Sequence, residues 1–149
     1  MKTLVVGDLH LKQQFVLPRI DGMLAGDAEI GRVVFLGDAC DDWGANEADE
    51  LNAMGFYAKW VREHRGCGMR IDVLLGNHDF CYVRGKRGPG SIMSIMRNLR
   101  TILEDALQAK VACAVGPYLC SHAGVTGVWA KRFLADVPAD AVSIAQRLN

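Results

Sequence analysis

Three short apolar runs share one form along this chain. Leu4 to Val6, Arg32 to Leu36 and Ile71 to Leu75 are rich in β-branched and aliphatic residues, and they end at Gly7, Gly37 and Gly76. Each reads as a buried strand. In each case glycine is followed at once by polar, ligand-type residues, and glycine lets the backbone turn sharply as it leaves a sheet. Between the runs the period changes. Leu17 to Leu24 predicts a short helix. Asn46 to His64 places Leu51, Met54, Tyr57, Ala58 and Val61 on one helical face, with Asn46 as N-cap and Glu47, Asp49 and Glu50 in the first turn. Ile92 to Leu107 predicts a second long amphipathic helix. Val111 to Val115 and Tyr118 to Ser121 flank Gly116-Pro117 and predict adjacent antiparallel strands. Thr126 to Leu134 and Pro138 to Leu148 read as helical, with Pro138 in a first turn and Asn149 as a closing cap.

In an α/β arrangement the polar clusters that follow the strands converge beyond their carboxyl ends. A chain of 149 residues is expected to form one domain, residues 1–149. Formal net charge is zero, which gives no general pull toward nucleic acid or an acidic membrane. No apolar run reaches the about 18 residues of a membrane span. The five cysteines form no C-x-x-C pair and read as small buried apolar residues in a reducing compartment, so a cytoplasmic location is expected.

The chemistry lies in four segments, in order: Gly7-Asp8-Leu9-His10, Gly37-Asp38-Ala39-Cys40-Asp41-Asp42, Gly76-Asn77-His78-Asp79 and Ser121-His122-Ala123-Gly124. Two divalent cations roughly 3.5–4 Å apart can clamp the attacking and leaving oxygens of a phosphoryl displacement. Such a pair needs a bridging carboxylate and further oxygen and imidazole ligands. Asp8 and His10 at i and i+2 project to one side of an extended segment. Asp38 supplies the carboxylate, Asn77 an amide oxygen and His122 an imidazole. An oxygen and nitrogen set without thiolate suits two ions of Mn²⁺, Fe or Zn²⁺.

These segments resemble the calcineurin-like metallophosphoesterase superfamily, and His122-Ala123-Gly124 is similar to its serine/threonine protein phosphatase branch. The resemblance implies a sandwich of two mixed β-sheets packed face to face with helices outside. It implies that Asp8, His10 and Asp38 hold a first metal and that Asp38, Asn77 and His122 hold a second. It implies a metal-bridging hydroxide as nucleophile, His78 as the general acid for the leaving oxygen and Asp41 as the group that orients His78. The substrate it implies is a phosphoester. Two departures stand out. Asp42-Trp43-Gly44 replaces the branch's arginine, so a guanidinium that grips phosphate is missing there. No histidine follows His122, so the branch's last histidine motif is missing too, and the chain is expected to be the front part of a longer, C-terminally truncated fold.

Several residues carry two readings. Asp79 and Asp42 read as helix caps or as acceptors behind the ligands. His64 reads as a helix-end residue. The basic stretch from Tyr82 to Gly90 is a solvated loop or a substrate lid whose Arg84, Lys86 and Arg87 supply the positive charge missing at Asp42. Cys40 reads as a packed thiol. Trp43 is an interior anchor or a surface on which a base or aromatic leaving group stacks. For function, the rivals to a phosphatase are a nucleotide or dinucleoside-polyphosphate hydrolase, a phosphodiesterase, and a scaffold that binds a protein partner.

Overall fold

A computed structural model describes all 149 residues. Strands β1 (Lys2–Val6), β2 (Ile30–Phe35) and β3 (Arg70–Val73) form a parallel sheet in the order β1-β2-β3. Helices α1 (Gln13–Gly26) and α2 (Glu47–Gly66) make the crossovers. Side chains alternate between the two sides of a strand, and this divides the core. Val33, Phe35, Ile71 and Val73 meet Leu17 and Ile20 of α1 and Met54, Tyr57, Trp60 and Val61 of α2 in the larger core. Phe35 meets the rings of Tyr57 and Trp60 edge-on, with centroids 5.0 and 5.8 Å apart.

The opposite side of the sheet meets a second, antiparallel pair, β4 (Ala112–Val115) and β5 (Tyr118–Ser121). Val34 and Leu74 pack there on Cys113. Arg32 and Asp72 share that side. Arg32 Nε donates to Asp72 Oδ2 at 2.7 Å, and Nη1 donates to the Ala114 carbonyl at 2.7 Å. Burial opposes the Asp72 charge, but Lys110 and Arg32 outweigh it and hold its pKa below the usual carboxylate value. The two sheets are therefore joined by a charged clasp as well as by apolar contact.

Asn46 caps α2 as expected. Its Oδ1 accepts from the N–H groups of Ala48 and Asp49 at 2.9 and 3.1 Å, and Asp49 Oδ2 accepts from Asn46 N–H at 3.2 Å. Helix α1 is longer than expected, beginning at Gln13 and carrying Pro18 inside. The stretch from Tyr82 to Gly90 is only partly a loop. Helix α3 (Asn77–Arg84) runs into it and ends at Gly85, whose φ of 64° is the left-handed cap that glycine favours. The long helix expected from Ile92 to Leu107 is broken into a 3₁₀ turn (Met93–Ile95), α4 (Met96–Thr101) and a π segment (Ile102–Ala106). Leu99, Leu103 and Leu107 are all fully buried and spaced by four. That spacing drifts round a helix of 3.6 residues per turn. The wider π turn, closed by Leu107 N–H donating to Ile102 O at 2.8 Å, keeps them on the core.

Helices α5 (Gly127–Phe133) and α6 (Ala141–Leu148) follow. Pro138 lies outside α6, because Asp140 is the N-cap and accepts from Val142 and Ser143 N–H at 3.0 and 2.9 Å. Asn149 also does more than end a helix. Its amide pairs with β4 and the residue before it, accepting from Val111 and Ala112 N–H at 2.8 and 3.0 Å and donating to Ala112 O at 3.0 Å. His64 stacks on Trp60 with centroids 3.8 Å apart and lies 3.1 Å from Asp21, linking α2 to α1.

Candidate metal centre

The loops after β1, β2 and β3 meet at one end of the parallel sheet. Leu9 and His10 N–H both donate to the Asp38 carbonyl, at 3.0 and 2.9 Å, so the first two loops are zipped together. The second and third loops are closer still. A Cβ added at Gly37 would lie 2.3 Å from Gly76 N, and one at Gly76 would lie 2.0 Å from Asp38 Oδ1. Only glycine fits at either place. His10, Asp38 and Asp41 hold φ of 39°, 50° and 63° without being glycine. Backbone of that kind persists only where the surroundings over-determine it, and it clusters at functional sites.

Asp79 organises the junction. It is fully buried in the first turn of α3. Oδ1 accepts from Ala39 and Cys40 N–H, both at 3.0 Å, and Oδ2 accepts from Gly76 N–H at 2.9 Å. Burial pushes its carboxyl up, and the Gly76 and Cys40 N–H donors pull it back. Asp79 is thus both a helix cap and the clamp between two loops.

Asp8, His10 and Asp38 offer ligand atoms that all lie within 4.8 Å of one another. His10 Nδ1 is 2.8 Å from the Asp41 carbonyl, which can only accept, so Nδ1 carries the proton and Nε2 is free. Burial disfavours the charged form of His10, but the Asp41 carbonyl and the Asp38 carboxylate raise its pKa above the ordinary value. His122 is arranged in the same way. Its Nδ1 faces the Leu36 carbonyl at 3.2 Å, while Nε2 lies 3.1 Å from Asn77 Oδ1 and 3.4 Å from Asp38 Oδ2. With Nδ1–H given to Leu36, three acceptors converge with no donor among them. That donor set fits a cation. Asp38 belongs to both groups: Oδ2 lies 3.8 Å from His10 Nε2 and 3.4 Å from His122 Nε2, and Oδ1 accepts from His78 N–H at 2.9 Å.

Beside this centre lies an Asp41–His78 pair. His78 Nδ1 donates to Asp41 Oδ2 at 3.0 Å, and Tyr82 Oη donates to Asp41 Oδ1 at 2.5 Å. His78 and Tyr82 are one turn apart on α3, so one helix face holds both oxygens of one carboxylate. Tyr82 also accepts from Ile92 N–H at 2.9 Å. Burial pushes its phenol up and keeps it a donor. Asp41 N–H donates to Glu50 Oε1 at 3.1 Å. Sequence reasoning missed Tyr82 and Glu50. A signal for Tyr82 was its i+4 spacing from His78. Glu50 looked like a first-turn helix residue and nothing more.

Burial lifts the Glu50 carboxyl from 4.5 to about 7, with Asp41 and Asp79 charges adding to the effect and the Asp41 N–H opposing it. The folded protein therefore holds this proton more tightly than the unfolded chain. Its contribution to stability is greatest below the ordinary value of 4.5 and is lost as pH rises toward about 7. Urea unfolding of the metal-free protein should lose on the order of 1–3 kcal/mol from this group between about pH 5 and pH 8. Glu50→Gln should lack that loss. Equal losses in both proteins would assign the dependence elsewhere.

The remaining predicted residues take different places. Arg84, Lys86 and Arg87 are exposed, and Arg84 sits 5.6 Å from the centroid of the Phe80 ring. None of the three lines the 260 Å³ cavity beside the centre, which is walled by His10, Asp41, Asp42, Trp43, His78, Pro89 and Gly90. Asp42 is not an isolated negative charge, since Lys12 donates to its carboxylate and lowers its pKa. Cys40 is fully buried, and burial raises its thiol pKa far above the usual range. Trp43 is not an interior anchor: it is 95 % exposed.

The family model for calcineurin-like phosphoesterases matches residues 1–145. The chain belongs to this family. A solved structure with the same fold is a point mutant of a cold-active protein tyrosine phosphatase. The calcineurin-like chain is 17 % identical to it with a TM-score of 0.60, and the match covers 99 % of this chain and 48 % of that one. The chain thus spans about half the length of that structure. No curated protein matches. No helix of this calcineurin-like chain is long and apolar enough to cross a membrane.

Proposed function

We propose that this protein is a metal-dependent phosphoester hydrolase with a dinuclear centre. The observation that carries the reading is the position of Asp38, whose carboxylate faces the His10 group on one side and the His122 group on the other. Asp8, His10 and Asp38 would hold one divalent cation, and Asp38, Asn77 and His122 the other. Residues 1–149 act as one unit in this reading. Bound cations supply Lewis acidity at the phosphoryl oxygens and an activated water.

The chain's own residues do the rest. Asp41 accepts the Nδ1 proton of His78 and turns the ring, so that in the imidazolium form the second proton, on Nε2, is the one given to the departing oxygen. Tyr82 and Glu50 hold Asp41 in place from its carboxylate and its N–H. The His10 and His122 rings are turned by the Asp41 and Leu36 carbonyls so that each Nε2 points inward. Arg84, Lys86 and Arg87, exposed and outside the cavity lining, attract the anionic substrate at long range without touching the reacting atoms.

Hydrolysis of phosphoesters with and without added Mn²⁺ tests the reading directly. Within it, His78→Ala should lower kcat by about 10²–10⁴-fold while leaving metal content unchanged. The loss should shrink for a leaving group that departs without a proton. Loss of bound metal in the variant would make His78 a ligand instead.

A further inference from the structure

The most exposed large aromatic side chain of the molecule lines the same cavity as His10, Asp41 and His78. Trp43 is 95 % exposed, ahead of Tyr118 at 72 % and Phe15 at 65 %. A single apolar side chain in solvent is ordinary; what sets Trp43 apart is its place in the lining of the cavity beside the candidate metal centre. Trp43 is held there by its backbone. Its N–H donates to Asp42 Oδ1 at 2.9 Å, Ala45 N–H donates to Asp42 O at 3.2 Å, and Gly44 turns the chain with φ of 78°. Lys12 fixes Asp42 in turn.

The turn follows Asp41 directly, so the indole stands beside the Asp41–His78 pair. Trp43 is the one large apolar side chain lining the 260 Å³ cavity that also contains His10 and His78. Pro89 and Gly90 complete the wall, and Gly90 lies against Asp41, where an added Cβ would sit 3.4 Å from Asp41 Cβ. The cavity therefore joins a proton donor for a leaving group to a flat apolar face.

We propose that Trp43 is a stacking platform for a planar aromatic ring carried by the organic half of the phosphoester, as in a nucleoside phosphate. This rests on the phosphoesterase reading and adds the substrate class. An indole face attracts the π-face of any base, so the site selects for a ring rather than for base identity. The Asp42 carboxylate beside it is neutralised by Lys12 and does not repel the ester.

Adenosine 5′-monophosphate and ribose 5-phosphate present the same primary phosphoester and differ by the base, which makes them the deciding pair. The protein should prefer the nucleotide in kcat/KM. Trp43→Ala should reduce that preference by about tenfold, mainly through KM, and Trp43→Phe should restore most of it. The nucleotide should also quench tryptophan fluorescence in the wild type and not in Trp43→Ala. Equal use of both substrates by the wild type, or an unchanged ratio in Trp43→Ala, overturns the inference while hydrolysis itself stands. Absence of hydrolysis of any phosphoester with added Mn²⁺ overturns the phosphoesterase reading instead, and the fluorescence titration then still decides whether Trp43 binds a base.

Discussion

Asp38→Asn should reduce metal-dependent phosphoester hydrolysis by on the order of 10²–10³-fold or more, the scale of losing one preorganised electrostatic group. The substitution keeps shape and volume, and it removes the charge while turning one acceptor oxygen into an NH₂ donor. Asparagine tolerates the left-handed backbone that Asp38 holds at φ of 50°. Its amide oxygen can still accept the His78 N–H that Asp38 Oδ1 accepts at 2.9 Å. The fold should therefore survive, with an unchanged circular dichroism spectrum. What an amide cannot do is place one negative charge between the His10 and His122 groups. Metal analysis should show loss of bound cation along with activity. Normal metal content with full turnover would remove Asp38 from the bridging position.

Asp79→Ala should be the most destabilising single change at the site, by about 3 kcal/mol or more. Its carboxylate accepts from the N–H groups of Ala39, Cys40 and Gly76 in a place with no solvent exposure. Alanine would leave three buried donors without a partner, and it would release the second loop from the third. The glycine contact between Gly37 and Gly76 would then lose the clamp that keeps it closed. Chemical denaturation should show the drop in midpoint, and metal affinity should fall with it although Asp79 touches no proposed metal. A variant as stable as the wild type would mean that water replaces the carboxylate and that the loops hold each other without it.

The comparison between Asp38 and Asp79 shows how far a sequence reaches. Asp38 was legible as a candidate ligand because it follows a strand and a glycine. Asp79 lies in the same kind of segment, yet its role depends on a loop forty residues away, and no local pattern distinguishes a cap from a clamp. Glu50 and Tyr82 were less legible still. Each acts on Asp41 from a different helix, and each sits in a stretch whose local chemistry reads as an ordinary helix start or a basic loop.

By itself the sequence determined three strands that each end at glycine, the capped helix α2, the hairpin of β4 and β5, and the four polar segments that follow strands. These rest on short-range physics: periodicity of side chains, cap chemistry and the conformational freedom of glycine. It also singled out candidate metal ligands, since ligand chemistry is a property of residue type. Tertiary structure decided what needs neighbours distant in the chain. It made the pairing of β1, β2 and β3 all parallel, where mixed sheets were expected. It broke the helix expected from Ile92 to Leu107, because the four-residue spacing of Leu99, Leu103 and Leu107 had to face one core. It drew Arg32 and Asp72, both within apolar runs, into a buried clasp between two sheets. It chose the tautomers of His10 and His122 through the carbonyls of Asp41 and Leu36. It left Trp43 in solvent, where the sequence allowed it inside or out. In each case the deciding interaction joins segments that only the folded chain brings within hydrogen-bond or van der Waals reach.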